Sequence, residues 1–489
     1  MGERDSATRM QRSPAAFAQN AEHALHDPHL QQALRQIAAG FGGNRRRAAA
    51  ALPEFEALCD AAAAIKDHTL DHLDLYLAEF ERQVIASGGH VHWCADASAA
   101  RQAVLGICRE ANAKTVTKGK SMVAEEIDLN PFLEAHDITP VETDLGEYII
   151  QLADEPPSHI IGPAIHKTKD QVSDLFHSHH RAYGKTERLE DGGALVAEAR
   201  ELLRQKYIDA DVGITGANFL IAETGSTVIV TNEGNGDLTQ SLPPVHIVVA
   251  SIEKIVPTLE DAATLLRVLA RSATGQEMSV YTTFSTGPRR DEDMDGPAAF
   301  HVILLDNGRS ELLDSRKRDI LRCIRCGACM NHCPVYTAVG GHSYGTTYMG
   351  PMGAVLSPQF EGLGTAKSLP FASSFCGRCE AVCPMRIPLP DLMREWREDA
   401  FRTRMVTRRE RWALRGWGWV ARRPRLYRVA ADLSVRILSR LGRGRGALGY
   451  LPFGGGWTRA RDFPAPEATS FMAAWRAQQD RQQKGRGDV

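Results

Sequence analysis

The sequence predicts an α/β domain with a mainly parallel sheet, followed by a helical module and a helical C-terminal region rich in arginine. Strand-like and helix-like patterns alternate from residue 91 to residue 308, which is typical of a parallel sheet. From residue 309 the pattern becomes helical, and seven of the ten cysteines lie between Cys323 and Cys383. The predicted parts are a helical extension packing on the α/β domain (1–90), the α/β domain (91–308), the cysteine-containing module (309–400) and a C-terminal region with a mobile tail (401–489).

The composition is that of a globular protein of about three domains, at roughly 150 residues per domain. Of the 489 residues, 58 are Lys or Arg and 60 are Asp or Glu, for a net charge of -2. This balance argues against a chain built mainly to coat nucleic acid. Because the N-terminus lacks a secretory pattern and no run approaches the ~18 apolar residues of a membrane span, we expect a cytoplasmic protein with reduced thiols. Peripheral contact with the inner membrane face stays open.

Local patterns place the elements in order along the chain. The opening residues predict helices, because apolar side chains recur three or four positions apart, as at Phe55, Leu58, Ala62 and Ile65. Two glycines at 88 and 89 end this part before the first strand. Predicted strands lie at 90–93, 115–117, 141–145, 148–152, 212–216, 217–222, 227–231, 245–250 and 301–305. Predicted helices lie at 97–112, 168–178, 190–205, 259–272, 351–363 and 391–405.

The cysteines of the module form two similar motifs. The first has steps of 3, 3 and 4 residues and ends in Cys-Pro, and it consists of Cys323, Cys326, Cys329 and Cys333. This spacing is typical of a loop that binds an iron-sulfur cluster, with the last cysteine serving a neighbouring cluster. A zinc ribbon would need two Cys-x-x-Cys pairs instead, and a redox disulfide or chance does not explain the pattern. The motif predicts an iron-sulfur protein with a helical ferredoxin-like module.

The second motif repeats the first fifty residues later, with Cys376, Cys379 and Cys383 but with Ser373 in place of the first cysteine. The site it predicts therefore lacks one thiolate. Ser373 or another oxygen or nitrogen ligand could bind the fourth iron, or the site could hold a three-iron cluster. A serine that only caps a helix is the alternative. Similarity to the two-cluster ferredoxin pattern assigns Cys323, Cys326, Cys329 and Cys383 to one cluster, and Cys333, Cys376 and Cys379 to the other.

Several other residues suggest sites more weakly. Lys118, in Lys-Gly-Lys-Ser after a strand, could help to hold an anion, or the segment could be a solvated turn. Glu223, beside Gly225, could be a nucleophile or base, although a tight hairpin explains the same glycine. A His-Ser-His-His run at 177–180 suggests a metal site or simply a polar helix end. The remaining cysteines, Cys59, Cys94 and Cys108, have no ligand spacing and are expected to be buried.

The C-terminal region is strongly basic. Residues 401–445 contain 14 Arg against Glu410 and Asp432, interleaved with tryptophans. Such a stretch could contact a partner subunit, lie on an anionic membrane surface, or form a solvated basic face. It matches no nucleic-acid-binding module, so nucleic acid is not an expected partner.

Several segments together with the cysteine repeat resemble the lactate-utilisation iron-sulfur protein family (LutB type), from about residue 50 to about residue 465. The segments are TKGKSMVAEEIDLN at 117–130, ETDLGEY at 142–148, GITGAN at 213–218, AETG at 222–225 and TNEGNG at 231–236. The resemblance implies a LUD domain, similar in fold to CoA transferases and sugar-phosphate isomerases, followed by a two-cluster ferredoxin module holding 4Fe-4S clusters. It carries over the seven cysteines as ligands and no catalytic residue.

The resemblance also implies a function and partners. Members act in a three-part system that oxidises L-lactate to pyruvate, with a cysteine-rich subunit of the heterodisulfide-reductase type and a second LUD protein. We therefore expect an electron-transfer subunit of an oxidoreductase, with lactate or another 2-hydroxy acid as the electron source. Two alternatives stay open. The LUD domain could itself be catalytic, binding a carboxylate or nucleotide at Lys118 and Glu223, or the chain could be a redox sensor.

Overall fold

The computed structural model describes residues 12–442, 444–451, 454–458 and 461–484. The chain forms two compact units, one up to Arg402 and one from Thr403. The first unit contains the predicted α/β domain and the predicted helical module, and the second is mostly helical. The predicted fold class is therefore confirmed. Residues 1–11 of the predicted N-terminal extension and 485–489 of the predicted tail lie outside the described residues.

The N-terminal helices contact both the α/β part and the cysteine-containing module. They are α1 (Phe17–His26), α2 (Pro28–Ala39), α3 (Phe41–Ala50), α4 (Phe55–Asp71) and α5 (Leu73–Ala86). On the module side, Gln31 of α2 donates to the carbonyl of Ala338 at 2.8 Å, and Phe17 of α1 lies edge-on to Tyr344. Phe55 and Ala62 of α4 belong to a core cluster that also contains Leu265 of the α/β part.

The α/β part alternates strands and helices. Its strands are β1 (His90–Cys94), β2 (Thr115–Lys118), β3 (Thr139–Glu142), β4 (Val212–Thr215), β5 (Phe219–Ile221), β6 (Ser226–Thr231), β7 (Val245–Ser251), β8 (Ile255–Val256), β9 (Tyr281–Ser285) and β10 (Ala299–Leu305). Its helices are α6 (Ala97–Glu110), α7 (Met122–Glu126), α8 (Leu129–Glu134), α9 (Leu145–Leu152), α10 (Lys169–His179), α11 (Gly192–Ile208), α12 (Asn235–Ser241) and α13 (Leu259–Ala273).

The larger sheet is parallel throughout, in the order β1-β10-β7-β4-β2-β3. Both of its faces are buried, so its central strands are continuous apolar runs and not alternating ones. In β7, Ile247 and Val249 face one core cluster, whereas Val248 and Ala250 face another. Because all six strands run the same way, their carboxyl ends meet at one edge, where α/β proteins commonly bind ligands.

The smaller sheet has the order β8-β5-β6-β9 and contains the hairpin between β5 and β6. Gly225 lies in the turn of this hairpin with φ +65°, and a Cβ atom there would come within 2.6 Å of the Val84 nitrogen. A glycine is needed because the left-handed conformation and the close approach both exclude a side chain. The hairpin interpretation of this segment is confirmed.

The strand predicted at 148–152 is wrong, because these residues belong to α9. Asp144 caps this helix by accepting a hydrogen bond from the Glu147 N–H at 3.1 Å. The apolar run that suggested a strand instead buries one face of the helix through Tyr148, Ile149 and Ile150. A capping aspartate before a short apolar run was the decisive local signal.

The cysteine-containing module packs short helices around a shared core. They are α14 (Arg309–Leu313), α15 (Ala328–Asn331), α16 (Tyr336–Val339), α17 (Gly350–Phe360), α18 (Leu363–Ala366), α19 (Arg378–Ala381) and α20 (Leu389–Arg402). Trp396 of α20 anchors this helix on α17 by donating its indole N–H to the carbonyl of Val355 at 2.8 Å.

The C-terminal unit contains two long helices and short further elements. They are α21 (Arg408–Ala421), α22 (Pro424–Gly442), β11 (Ala447–Leu448), α23 (Gly455–Thr458), β12 (Phe463–Pro464) and α24 (Phe471–Lys484). Trp412, Trp417 and Trp419 on α21 are exposed, as is Leu433 on α22. Among the described residues, no helix combines the length and the apolarity needed to cross a membrane.

Candidate functional site

The two cysteine motifs have the same backbone shape. Each has a non-glycine residue with positive φ, Arg325 at +60° and Phe375 at +53°. Two residues later, Gly327 at +74° and Gly377 at +76° each immediately precede a four-residue helix, α15 or α19. The repeat at an offset of fifty residues is therefore present in the fold as well as in the sequence. Each loop turns its cysteines around the amino end of a short helix.

The first group of thiols lines one small cavity. It is formed by Cys323, Cys326, Cys329 and Cys383. The other walls are mostly apolar side chains, among them Ile160, Ile324, Met352, Met385, Ile387 and Leu389. Backbone N–H groups of Ala328, Met352 and Met385 donate to the sulfurs of Cys326, Cys329 and Cys383, respectively.

The second group consists of Cys333, Cys376 and Cys379, which lie close enough to interact electrostatically with one another. Burial raises the pKa of Cys333 and brings that of Cys379 to about 12. Cys376 is exposed, and the backbone N–H of Arg378 lowers its pKa. The two groups therefore differ, because the first is enclosed and the second reaches the surface.

Ser373 has a local hydrogen bond. Its hydroxyl accepts the N–H of Phe375 at 3.1 Å, which closes the turn that leads to Cys376. The serine therefore caps a turn and not a helix. The contact therefore replaces the predicted helix-capping role of Ser373 with a turn-closing one, and it uses one of the two lone pairs of the hydroxyl oxygen.

The grouping of four and three thiols fits iron-sulfur clusters. Burial raises the pKa of Cys326 and Cys329 and brings that of Cys383 to about 11, so these thiols are protonated when no metal is bound. They lose their protons on binding a metal, because the thiolate is the ligand. Backbone N–H groups directed at sulfur and apolar walls are the features that tune such clusters. The donor set and its surroundings are thus suited to hold iron and sulfide.

A buried charge cluster adjoins the first group of thiols. Glu253, just after β7, lies 3.1 Å from Arg325 and 2.8 Å from Arg309. Burial alone would raise the pKa of Glu253, but the two arginines outweigh it and hold that pKa at about 2. Burial also lowers the pKa of Lys66 and Lys254 to about 8. Positive charges therefore predominate beside Cys323.

The structure assigns Lys118 and Glu223 other roles than an anion site. Lys118 is fully buried, with its ammonium 2.8 Å from both Glu125 and Glu142. It is neither part of a solvated turn nor available to a ligand. Glu223 is exposed and accepts the N–H of Leu259 at 2.6 Å, at the start of α13. These two residues therefore do not form the carboxylate or nucleotide site that the sequence suggested.

The histidine run at 177–180 does not form a metal site in the described part of the chain. His180 is buried and contacts Tyr148 and Glu198, whereas His177 and His179 are bonded to nearby carbonyls. A different trio, Glu155, His166 and His342, has donor atoms within 4.8 Å of one another. Hydrogen bonds already occupy these atoms, including His166 to Glu155 at 2.7 Å and His342 to the Pro156 carbonyl at 2.8 Å.

Two residues beside the thiols, Arg325 and Lys254, are not predicted by any sequence motif. Arg325 lies inside the first cysteine motif, between Cys323 and Cys326. The spacing of the cysteines predicts a cluster site but gives no role to the arginine between them. Lys254 follows β7 in no recognisable motif. The available signal was its position after a buried strand, at the edge where parallel sheets bind ligands.

Comparisons with known proteins agree with these features. A LUD domain model matches residues 77–305, a 4Fe-4S dicluster domain model matches 319–387, and a model of the C-terminal part of lactate utilisation protein B matches 402–480. The predicted LUD domain and iron-sulfur module are thereby confirmed. A crystal structure of a DUF162 family protein from Deinococcus radiodurans aligns with a TM-score of 0.27 and 15% identity, over 48% of this chain and 98% of that one.

Full-length relatives are closely similar. Lactate utilization protein B of Shouchella clausii is 42% identical over 96% of this chain and 98% of its own length. The protein of that name in Bacillus subtilis is 40% identical over 93% and 95%. The "Uncharacterized electron transport protein YkgF" of Escherichia coli is 39% identical over 96% and 98%. The chain therefore belongs to the lactate utilization protein B family.

Proposed function

We propose that this protein is the iron-sulfur electron-transfer subunit of a complex that oxidises L-lactate to pyruvate. The observation that carries the proposal is the pair of cysteine groups, one enclosed and one at the surface, in a chain of the lactate utilization protein B family. A relative named as an electron transport protein supports the same role. In this role the protein acts as an oxidoreductase subunit.

Seven sulfurs hold the cofactors in this proposal. Cys323, Cys326, Cys329 and Cys383 ligate a 4Fe-4S cluster, and Cys333, Cys376 and Cys379 ligate a second cluster. The second cluster has three irons, or four with a ligand other than cysteine. Bound clusters each exchange one electron at a time, so two of them allow a two-electron oxidation to be handled stepwise.

The surrounding residues determine how the two sites differ. Around the first group, apolar side chains such as Ile324 and Met385 exclude water, and backbone N–H groups stabilise negative charge on the sulfurs. The nearby Arg325 adds positive charge, which favours the reduced state of that site. At the second group, the exposed Cys376 leaves a path by which a partner can approach closely.

The partners we propose are a heterodisulfide-reductase-type cysteine-rich protein and a second LUD protein. The exposed tryptophans of α21 and the arginines of the C-terminal unit supply a surface suited to such a partner or to an anionic membrane. Co-sedimentation with anionic vesicles distinguishes these two, because only membrane contact would carry the isolated protein down with the lipid.

Anaerobic reduction by L-lactate tests the function. The purified chain, with iron and sulfide content measured, is mixed with lactate alone and then with both partner proteins. We expect electron paramagnetic resonance signals of reduced clusters only in the presence of the partners. Reduction by the isolated chain would contradict a pure electron-transfer role, and no reduction with partners would favour a redox sensor.

The iron content of two cysteine variants tests the assignment of the cluster ligands. Cys326→Ala should lower the iron content by about four per chain, since a 4Fe-4S cluster loses its site. Cys94→Ala, in the α/β domain, should leave the iron content unchanged. Equal iron in both variants would contradict the proposed ligands.

A further inference from the structure

A cavity of about 210 Å³ lies at the carboxyl ends of the parallel strands. The segments that follow β2, β3, β4 and β7 contribute Lys120, Asp144, Gly216 and Lys254, respectively, to its wall. This is the edge at which open α/β sheets bind ligands, because the strand ends and loops leave a crevice there. The position of the cavity therefore indicates a binding site and not a packing defect.

Lys254 is the cation in this cavity without a partner. Its ammonium makes no hydrogen bond or ion pair with any other residue that the structure describes, although the side chain is only partly exposed. Lys120, by contrast, donates to the carbonyl of Ile161. A partly buried ammonium without a partner is costly, and an anion in the cavity would remove this cost.

The carboxylates near the cavity that the structure describes form no direct ion pair with Lys254. Glu253 is shared between Arg309 and Arg325, and Asp144 accepts the Glu147 N–H as a helix cap. Glu233 also lines the cavity, but it is an exposed residue. The cavity wall nevertheless has more cations than carboxylates, since Lys120, Lys254 and Arg325 outnumber Asp144 and Glu233.

Arg325 connects the cavity to the first group of thiols. Together with Ile160 it lines both this cavity and the cavity of Cys323, Cys326, Cys329 and Cys383. Its side chain is only 9% exposed, and its Nη1 atom has no hydrogen-bond partner among the described residues. One layer of side chains separates a ligand in the cavity from these sulfurs.

The rest of the lining restricts the class of ligand. Ala217, Val249, Leu269 and Ala270 form an apolar side, whereas Ser121 and Asn218 are polar. An anion with a short alkyl group and a further polar group matches these surfaces better than a bare inorganic ion. Its charge would lie at Lys254 and its alkyl group against the apolar side.

We propose that this cavity binds a short-chain 2-hydroxy- or 2-oxocarboxylate, with the carboxylate paired to Lys254 and with Arg325 supplying positive charge from the adjoining wall. The choice of a 2-hydroxy acid rests on the proposed function. The positive charge of the cavity and its shared wall with the first cysteine group are independent of that function. The protein would then hold the oxidisable substrate, or its product, next to its first electron-transfer site.

Isothermal titration of the full-length, cluster-loaded protein under anaerobic conditions tests the proposal. We expect L-lactate and pyruvate to bind and to compete for one site, and the neutral analogue L-lactamide not to bind. Lys254→Met should weaken lactate binding at least tenfold, and Lys254→Arg should restore most of it. Lys169→Met, which removes an exposed lysine at the start of α10, should bind as the wild type does. Iron content and circular dichroism establish that each variant is folded.

The outcomes separate this proposal from the electron-transfer function. Binding of neither lactate nor pyruvate, or unchanged binding by Lys254→Met, would overturn the carboxylate site. If the complex with partners still reduced its clusters with lactate, the electron-transfer function would stand without that site. Lactate binding that depends on Lys254, without any reduction of the clusters in the complex, would support the carboxylate site and contradict the electron-transfer function.

Discussion

The guanidinium of Arg325 lies 3.1 Å from the carboxylate of Glu253, and this buried pair joins the first cysteine loop to the end of β7. Arg309 approaches the other oxygen of Glu253 at 2.8 Å and also pairs with Glu126 at 2.6 Å. One carboxylate thus holds two arginines of the cysteine-containing module against the α/β domain. The relative position of the thiols and the cavity lined by Lys254 depends on this contact.

Replacing Glu253 should therefore destabilise the protein strongly. Glu253→Gln removes the carboxylate paired with Arg325 and leaves Arg309 with Glu126 alone, and breaking a buried ion pair in this way costs about 3–5 kcal/mol. The free energy of unfolding, measured with denaturant under anaerobic conditions, should fall by that amount. Glu277→Gln changes an exposed carboxylate and should have little effect. Equal stability of the two variants would show that the buried pair does not hold the parts together.

Ser373 should be dispensable for iron binding. Ser373→Ala removes the hydrogen bond to the Phe375 N–H, which should cost about 0.5–1.5 kcal/mol of stability but leave the iron content unchanged. Ser373→Cys places a thiolate where the first motif has Cys323, so it should raise the iron content or slow iron loss in air. Iron and sulfide analysis of both variants is the measurement. Iron loss in Ser373→Ala would show that the hydroxyl is a ligand.

Replacing either of two glycines by alanine should change the stability of the protein, but in opposite directions. A Cβ atom on Gly213, in the central strand β4, would lie 1.8 Å from the Thr239 carbonyl oxygen, so Gly213→Ala should cost about 3 kcal/mol. Gly106 lies in α6, where a Cβ atom would have no neighbour within 4 Å beyond the adjoining backbone of its own helix, so Gly106→Ala should stabilise by about 0.5–1 kcal/mol. Thermal unfolding of the two variants measures both effects. A tolerated alanine at 213 would mean that α12 is not fixed against β4.

Local patterns predicted the parts of this fold that depend on neighbouring residues. The cysteine loops were predictable because spacing alone determines how a short turn presents its sulfurs. The buried strand β7 was predictable from its apolar run. The helix α9 was not predicted, because its apolar residues suggest a strand and only the capping residue Asp144 indicates a helix.

Local sequence patterns do not predict contacts that depend on the tertiary structure. Nothing near Lys118 in the sequence reveals that its ammonium is enclosed by Glu125 and Glu142, which turned a suspected anion site into a structural ion pair. Likewise, Lys254 and Arg325 line one cavity only because the cysteine-containing module packs on the carboxyl edge of the sheet. The candidate binding site depends on this tertiary arrangement, so only the structure could identify it.

His246 should make stability depend on pH. It is buried in β7, where its ring contacts the Thr215 hydroxyl at 2.8 Å, and burial lowers its pKa to about 3. The unfolded chain, with a histidine pKa near 6.5, therefore binds a proton between about pH 6.5 and pH 3 that the folded chain does not bind. Stability contributed by this group is present above pH 6.5 and is lost as the pH falls, by up to about 1.4 kcal/mol per pH unit.

Denaturant unfolding of wild type and His246→Asn from pH 7 to pH 5 measures this contribution. The variant is expected to be less stable at pH 7, because the replacement fills the site less well, but its stability should fall less steeply below pH 6. His23→Asn, on an exposed position of α1, should keep the wild-type slope. Parallel slopes for wild type and His246→Asn would mean that the folded protein accepts the proton, and hence that water reaches this part of the core.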